Sequence, residues 1–141
     1  MANNASSTSW LSQLRSKPPA AAAALTGAYA LVAGGALCAA PSATLAVLAP
    51  AAALAIPPGW IRLGGLILAT FGAQYALTSY YDCTANKSGE AFYRASVPSR
   101  LALALALALL VWSAQVERGV LILAALNATG ALSMRKALSR R

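Results

Sequence analysis

The chain has 141 residues, of which 59 % are hydrophobic and 10 % charged, with a net charge of +8 and no histidine. A soluble domain carries about 25 % charged residues, so these totals exclude an ordinary water-facing surface. They also exclude a nucleic-acid footprint, because the cations are scattered between apolar runs instead of forming one patch, and there they read as topology signals.

Residues 1–19 form a polar basic tail, rich in Ser, Asn and Thr and free of acid, ending in Arg15, Lys17, Pro18 and Pro19. Its composition resembles an organellar targeting sequence. Trp10, Leu11 and Leu14 share one face of a short helix starting near Ser9. The segment reads either as an interfacial helix or as a tail with one membrane-touching tryptophan.

The first span is expected over about 20–40, an uncharged run whose helical length, about 30 Å, matches a hydrocarbon core. Gly27 and Gly34 lie seven residues apart on one face, where small residues let backbones approach. The apolar stretch 42–56 is bounded by Pro41 and Pro57-Pro58-Gly59 and interrupted by Pro50. It is short for a span and reads as a kinked or re-entrant segment. The second span, 60–81, opens with Trp60 at one interface and Arg62 placed to snorkel, and ends in Tyr80 and Tyr81. Gly65, Ala69, Gly72 and Ala76 make a small-residue stripe along it, the best packing face in the chain.

Polar residues from Asp82 to Ser99 form the central loop. The third span, about 98–115, is expected to begin at Pro98 in its first turn. Its alternation of Leu and Ala is formally a strand pattern, but an open strand leaves its backbone unpaired in lipid. The fourth, about 118–136, is followed by the basic C-terminus, 137–141. The fold class is therefore an all-α membrane protein, with four transmembrane helices in two hairpins and a transmembrane domain over 20–136. Charge supports that count. Four spans put nine cations on the side of both termini and the central loop, leaving Arg62 and Arg118 opposite. A fifth span through 42–56 divides them more evenly.

Chemistry has few places to sit. Gln74 and Asn127 are neutral intramembrane polar residues, read as glue within a helix bundle, with lining of a solute path as the alternative. No ionisable side chain is expected at depth. The acids Asp82, Glu90 and Glu117 fall on two sides of the membrane, so no paired-carboxylate site follows. Asp82 and Glu90 are expected to offset Lys87, Arg94 and Arg100 in the loop. Cys38 and Cys83 without histidine supply no zinc set, haem ligand or activated nucleophile. No cofactor, metal or enzymatic activity is expected. Tyr81, Asp82, Tyr93 and Arg94 are the candidate recognition surface of the loop.

Pro41 after the first span, the run Arg62-Leu63-Gly64-Gly65 opening the second, and Phe92-Tyr93-Arg94 ahead of the third resemble the layout of several small four-span families, the DoxX-like group among them. The resemblance implies a membrane bundle and no particular reaction. The functional expectation is a small accessory subunit or assembly factor of a larger membrane complex; the alternative is an oligomeric transporter or channel for a neutral or weakly polar solute. Expected partners are other integral membrane proteins, and anionic lipids at the basic face, with no nucleic acid. Alanine-rich usage and the acid-free N-terminus suit an organelle membrane (chloroplast or mitochondrion), with a bacterial inner membrane as the alternative.

Overall fold

The computed structural model describes residues 10–84 and 88–139. The tail 1–9, the Leu11 side chain, Lys87, Arg140 and Arg141 lie outside them. All regular structure among the described residues is helical: α1 (Trp10–Ser16), α2 (Pro18–Ala39), α3 (Pro41–Ala46), α4 (Pro50–Ala55), α5 (Pro58–Thr84), α6 (Glu90–Trp112) and α7 (Leu121–Leu138), with a 3-10 turn at Arg118–Val120. Two of these, α2 and α6, are long and apolar enough to cross a membrane.

Prolines set the first half. Pro18, Pro41, Pro50 and Pro58 each open a helix, the position where a missing N–H costs nothing and a fixed φ is already helical. The stretch 42–56 thus becomes two short helices broken at 47–49, neither long enough to span.

Helices α2 and α5 run antiparallel in contact over their whole length. One end is tied by Lys17 Nζ to Asp82 Oδ1 at 3.1 Å. Next to it, Ser79 Oγ donates to the Ala20 carbonyl at 2.7 Å. The far end is tied by Arg62 Nε donating to the Cys38 carbonyl at 3.2 Å. Between these ties the glycines meet. A Cβ built on Gly34 falls 2.6 Å from Ala69 N and Gly65 O, and one on Gly27 falls 2.8 Å from Ala76 N and Gly72 O. Gly65 and Gly72 are equally close to the α2 backbone. The six small residues of the two stripes, Gly27, Gly34, Gly65, Ala69, Gly72 and Ala76, therefore form one interface in which backbone packs on backbone.

The second pair, α6 and α7, is also antiparallel and packs across α2. Helix α6 begins at Glu90, well before the Pro98 start expected from sequence, and carries Pro98 in its interior. The buried positions Tyr93, Ser96, Arg100 and Ala104 recur at helical spacing straight through the proline, which sits on the exposed side. Packing of that face overrides the local preference against an interior proline, whose cost is a lost backbone hydrogen bond and crowding of its ring against the carbonyl of Arg94. The polar connection between α5 and α6 is accordingly much shorter than the 82–99 loop read from sequence.

At the other end, α6 closes in a Schellman motif: Gln115 N donates to Leu110 O and Ala114 N to Val111 O. Ala114 takes φ 56° there, where glycine is usual. Glu117 reaches back to accept a 2.9 Å hydrogen bond from Ala52 N in the first turn of α4. A carboxylate suits that partly positive helix end, and it fixes the 42–56 segment against the α6–α7 connection.

Candidate functional site

The chemistry of the molecule gathers around Arg100. It sits near the middle of α6, about 15 Å from either end at ~1.5 Å per residue, and is only 5 % exposed. Its Nη1 donates to Thr26 Oγ1 at 2.9 Å and its Nη2 to Tyr29 OH at 3.0 Å, both on α2. A longer contact from Nη2 reaches the Leu126 carbonyl on α7 at 3.5 Å. The guanidinium carbon also lies 5.9 Å from the centre of the Tyr75 ring of α5, within cation–π range. One side chain of α6 thus reaches the three other long helices.

Helix α7 admits the guanidinium through Gly130, where any Cβ overlaps Arg100. Beside it a cleft of about 250 Å³ opens between α2 and α7, with Arg100, Tyr29, Thr129 and Ser133 on its polar wall and Leu25 and Leu126 on its apolar one. Thr26 spends its own proton on the Ala22 carbonyl at 3.0 Å, so its oxygen is an acceptor for Arg100. Tyr29 accepts from Arg100 and keeps its phenolic proton for another partner.

The negative groups lie elsewhere. The sequence holds three acidic residues. Asp82, 3 % exposed, pairs with Lys17, whose Nζ also donates to the Asp82 carbonyl. Glu90 takes Arg94 at 2.7 Å in an exposed pair one turn apart. Glu117 caps α4. No side-chain carboxylate accompanies Arg100, so the expectation that Asp82 and Glu90 offset it in a loop is corrected: Arg100 is inside the bundle and Asp82 serves α2.

The other residues singled out from sequence are dispersed. Asp82 and Tyr93 are buried, whereas Tyr81 and Arg94 are exposed, so the four candidate recognition residues do not form one surface. Asn127 Nδ2 donates to Leu123 O in its own helix at 2.9 Å. Gln74 is exposed on the outer face of α5, in line with Ile67, Phe71 and Tyr81. Cys83 is buried with Ala20, Ala23, Tyr93 and Met134 in the core at the Lys17 end. Cys38 lies at the opposite end, where its thiol contacts the Arg62 carbonyl at 3.6 Å. The larger groove, about 710 Å³ between α3–α4 and the α6–α7 connection, has an apolar lining apart from Gln115, Glu117 and Arg118.

Sequence reasoning missed Arg100 because Pro98 marked the wrong helix start. The signal was present: Tyr93, Ser96, Val97, Arg100 and Ala104 follow a 3–4 spacing that only a helix running through Pro98 aligns. No group of three or more potential metal ligands occurs among the described residues. No family model, no curated protein and no solved structure matches the chain, so the DoxX-like resemblance has no family support and extends only to an α-helical bundle with two helices able to span a membrane.

Proposed function

We propose that the chain is a four-span membrane protein, two antiparallel hairpins with both termini on the basic side, that serves as a small non-enzymatic accessory subunit or assembly factor of a larger membrane complex. The four-span reading is supported by pairing: α5 lies along α2 from Lys17 to Cys38, and α7 returns along α6, so a membrane enclosing α2 and α6 encloses their partners. An organelle membrane is the preferred setting and a bacterial inner membrane the alternative, on the composition of the N-terminal tail.

The observation that carries the accessory role is Gln74. Its amide stands near the middle of α5 on the outward face, among the exposed apolar side chains Ile67 and Phe71. Facing hydrocarbon, an amide without a partner costs about 2 kcal/mol or more, and a helix of another membrane protein supplies the missing hydrogen bonds. Gln74→Leu is expected to leave the thermal transition of the purified chain unchanged or raised while lowering recovery of the native complex several-fold. Unchanged recovery contradicts the proposal.

A second reading, an oligomeric transporter or channel, draws on the hydroxyl-lined cleft beside Arg100. Solute flux in liposomes that the wild-type chain sustains and Tyr29→Phe abolishes, with assembly intact, favours it over the accessory role.

A further inference from the structure

Arg100 is 5 % exposed, with no side-chain carboxylate among its hydrogen-bond partners. Hydroxyls and a carbonyl solvate this buried guanidinium without neutralising it, so an anion placed beside it gains a full charge–charge attraction in a weakly screened site. The chain's three acidic side chains are placed on Lys17, Arg94 and the α4 N-terminus. Three of the five guanidinium N–H groups are used by Thr26, Tyr29 and Leu126, leaving two. The phenolic proton of Tyr29 is a further donor at the same wall.

We propose that the cleft between α2 and α7 is a binding site for a phosphate-type oxyanion, held by Arg100 and Tyr29. The volume of about 250 Å³ is larger than a halide needs and suits a phosphate group. An oxyanion there accepts from one remaining guanidinium N–H and from the phenolic O–H of Tyr29, a charge-assisted pair of donors. The approach is marked on α7: Thr129, Ser133 and Lys136 follow one another at helical spacing from the guanidinium to the basic end of the bundle. Leu25, 71 % exposed, and Leu126, 45 % exposed, flank the lateral opening and can lie beside acyl chains. Two sources share this chemistry, the headgroup of an anionic phospholipid and free phosphate. The site stands on the fold and does not depend on the accessory role.

The test uses the full chain purified in mild detergent, with phosphatidylglycerol, phosphatidylcholine and inorganic phosphate as probes. Retained ligand is read by native mass and stabilisation by thermal transition. The wild-type chain is expected to retain one phosphatidylglycerol at least ten-fold better than phosphatidylcholine. Arg100→Gln is expected to lose that preference about ten-fold, and Tyr29→Phe, which at nearly constant volume removes the phenolic donor together with the acceptor that orients Arg100 Nη2, about three-fold. Arg118→Gln removes the same charge from the exposed far end and is expected to leave retention unchanged. Stabilisation by inorganic phosphate alone, lost in Tyr29→Phe, supports the site and assigns it to a soluble anion. If Arg100→Gln does not fold, Tyr29→Phe decides the matter. Absence of selective retention or stabilisation of the wild-type chain by either phosphate source overturns the proposal, as does binding that a folded Tyr29→Phe leaves unchanged.

Discussion

The two helix pairs of this bundle are held together by opposite means. In the α2–α5 pair, glycine on each helix meets backbone on the other, and polar ties close both ends. The α6–α7 pair is built from leucine and alanine, with Gly130 serving to admit a side chain. Its principal polar attachment to the first pair is the guanidinium of Arg100. In the membrane setting proposed above, burying another leucine gains little, and close backbone approach and buried hydrogen bonds supply what the hydrophobic effect supplies in water. One pair uses the first device throughout its length, and the other uses the second at a single point.

That contrast can be broken most severely in the first pair. Gly34→Leu or Gly72→Leu places a side chain where backbone atoms already lie within 3.0 Å of a Cβ. Backbone cannot step aside as a flexible side chain can, and the expected loss is ~3 kcal/mol or more, read as collapse of the thermal transition in detergent. In the second pair Gly130→Ala collides with a movable group, the Arg100 guanidinium. It is expected to cost about 2 kcal/mol, the worth of a charged hydrogen bond displaced from Thr26 and Tyr29. Parallel loss of phosphate retention separates this effect from simple overpacking.

Smaller changes sharpen the picture at the far end. Ala114→Gly relieves a left-handed alanine at the end of α6 and is expected to stabilise by ~1 kcal/mol, seen as a raised transition midpoint. Ala106→Leu, at an exposed position of α6 away from every tie, is expected to stay within ~0.5 kcal/mol of wild type. A large loss there means that α6 has a packing face the structure does not assign.

Most of the helical layout was legible from sequence because proline and charge punctuate it. Pro18, Pro41, Pro50 and Pro58 sit at helix starts, and the small-residue stripes on α2 and α5 follow a spacing that one face can read. The α5–α6 turn and the Arg100 site were not legible for one shared reason. Pro98, a sound start signal by local rules, lies inside a helix whose packed face outweighs it, and that error moved Arg100 from mid-helix to a loop. Gln74 and Asn127 looked equivalent as polar residues in apolar runs. Only the rotation of each helix separates them, one facing outward and the other bonded to its own turn. Rotation depends on which neighbours a helix finds, and α6 and α7 lack the glycine faces that would announce it.

Sidedness of the connections tests the central claim most directly. Cys83 is buried and Cys38 half-buried, so both are first replaced by serine and single cysteines introduced at exposed sites: Ser88→Cys between α5 and α6, Gln115→Cys between α6 and α7, and Ser139→Cys after α7. In sealed vesicles treated with a membrane-impermeant thiol reagent, two hairpins require Ser88→Cys and Ser139→Cys to be modified from one side and Gln115→Cys from the other. Modification of Ser88→Cys and Gln115→Cys from the same side would mean that α6 does not cross, and would contradict the account.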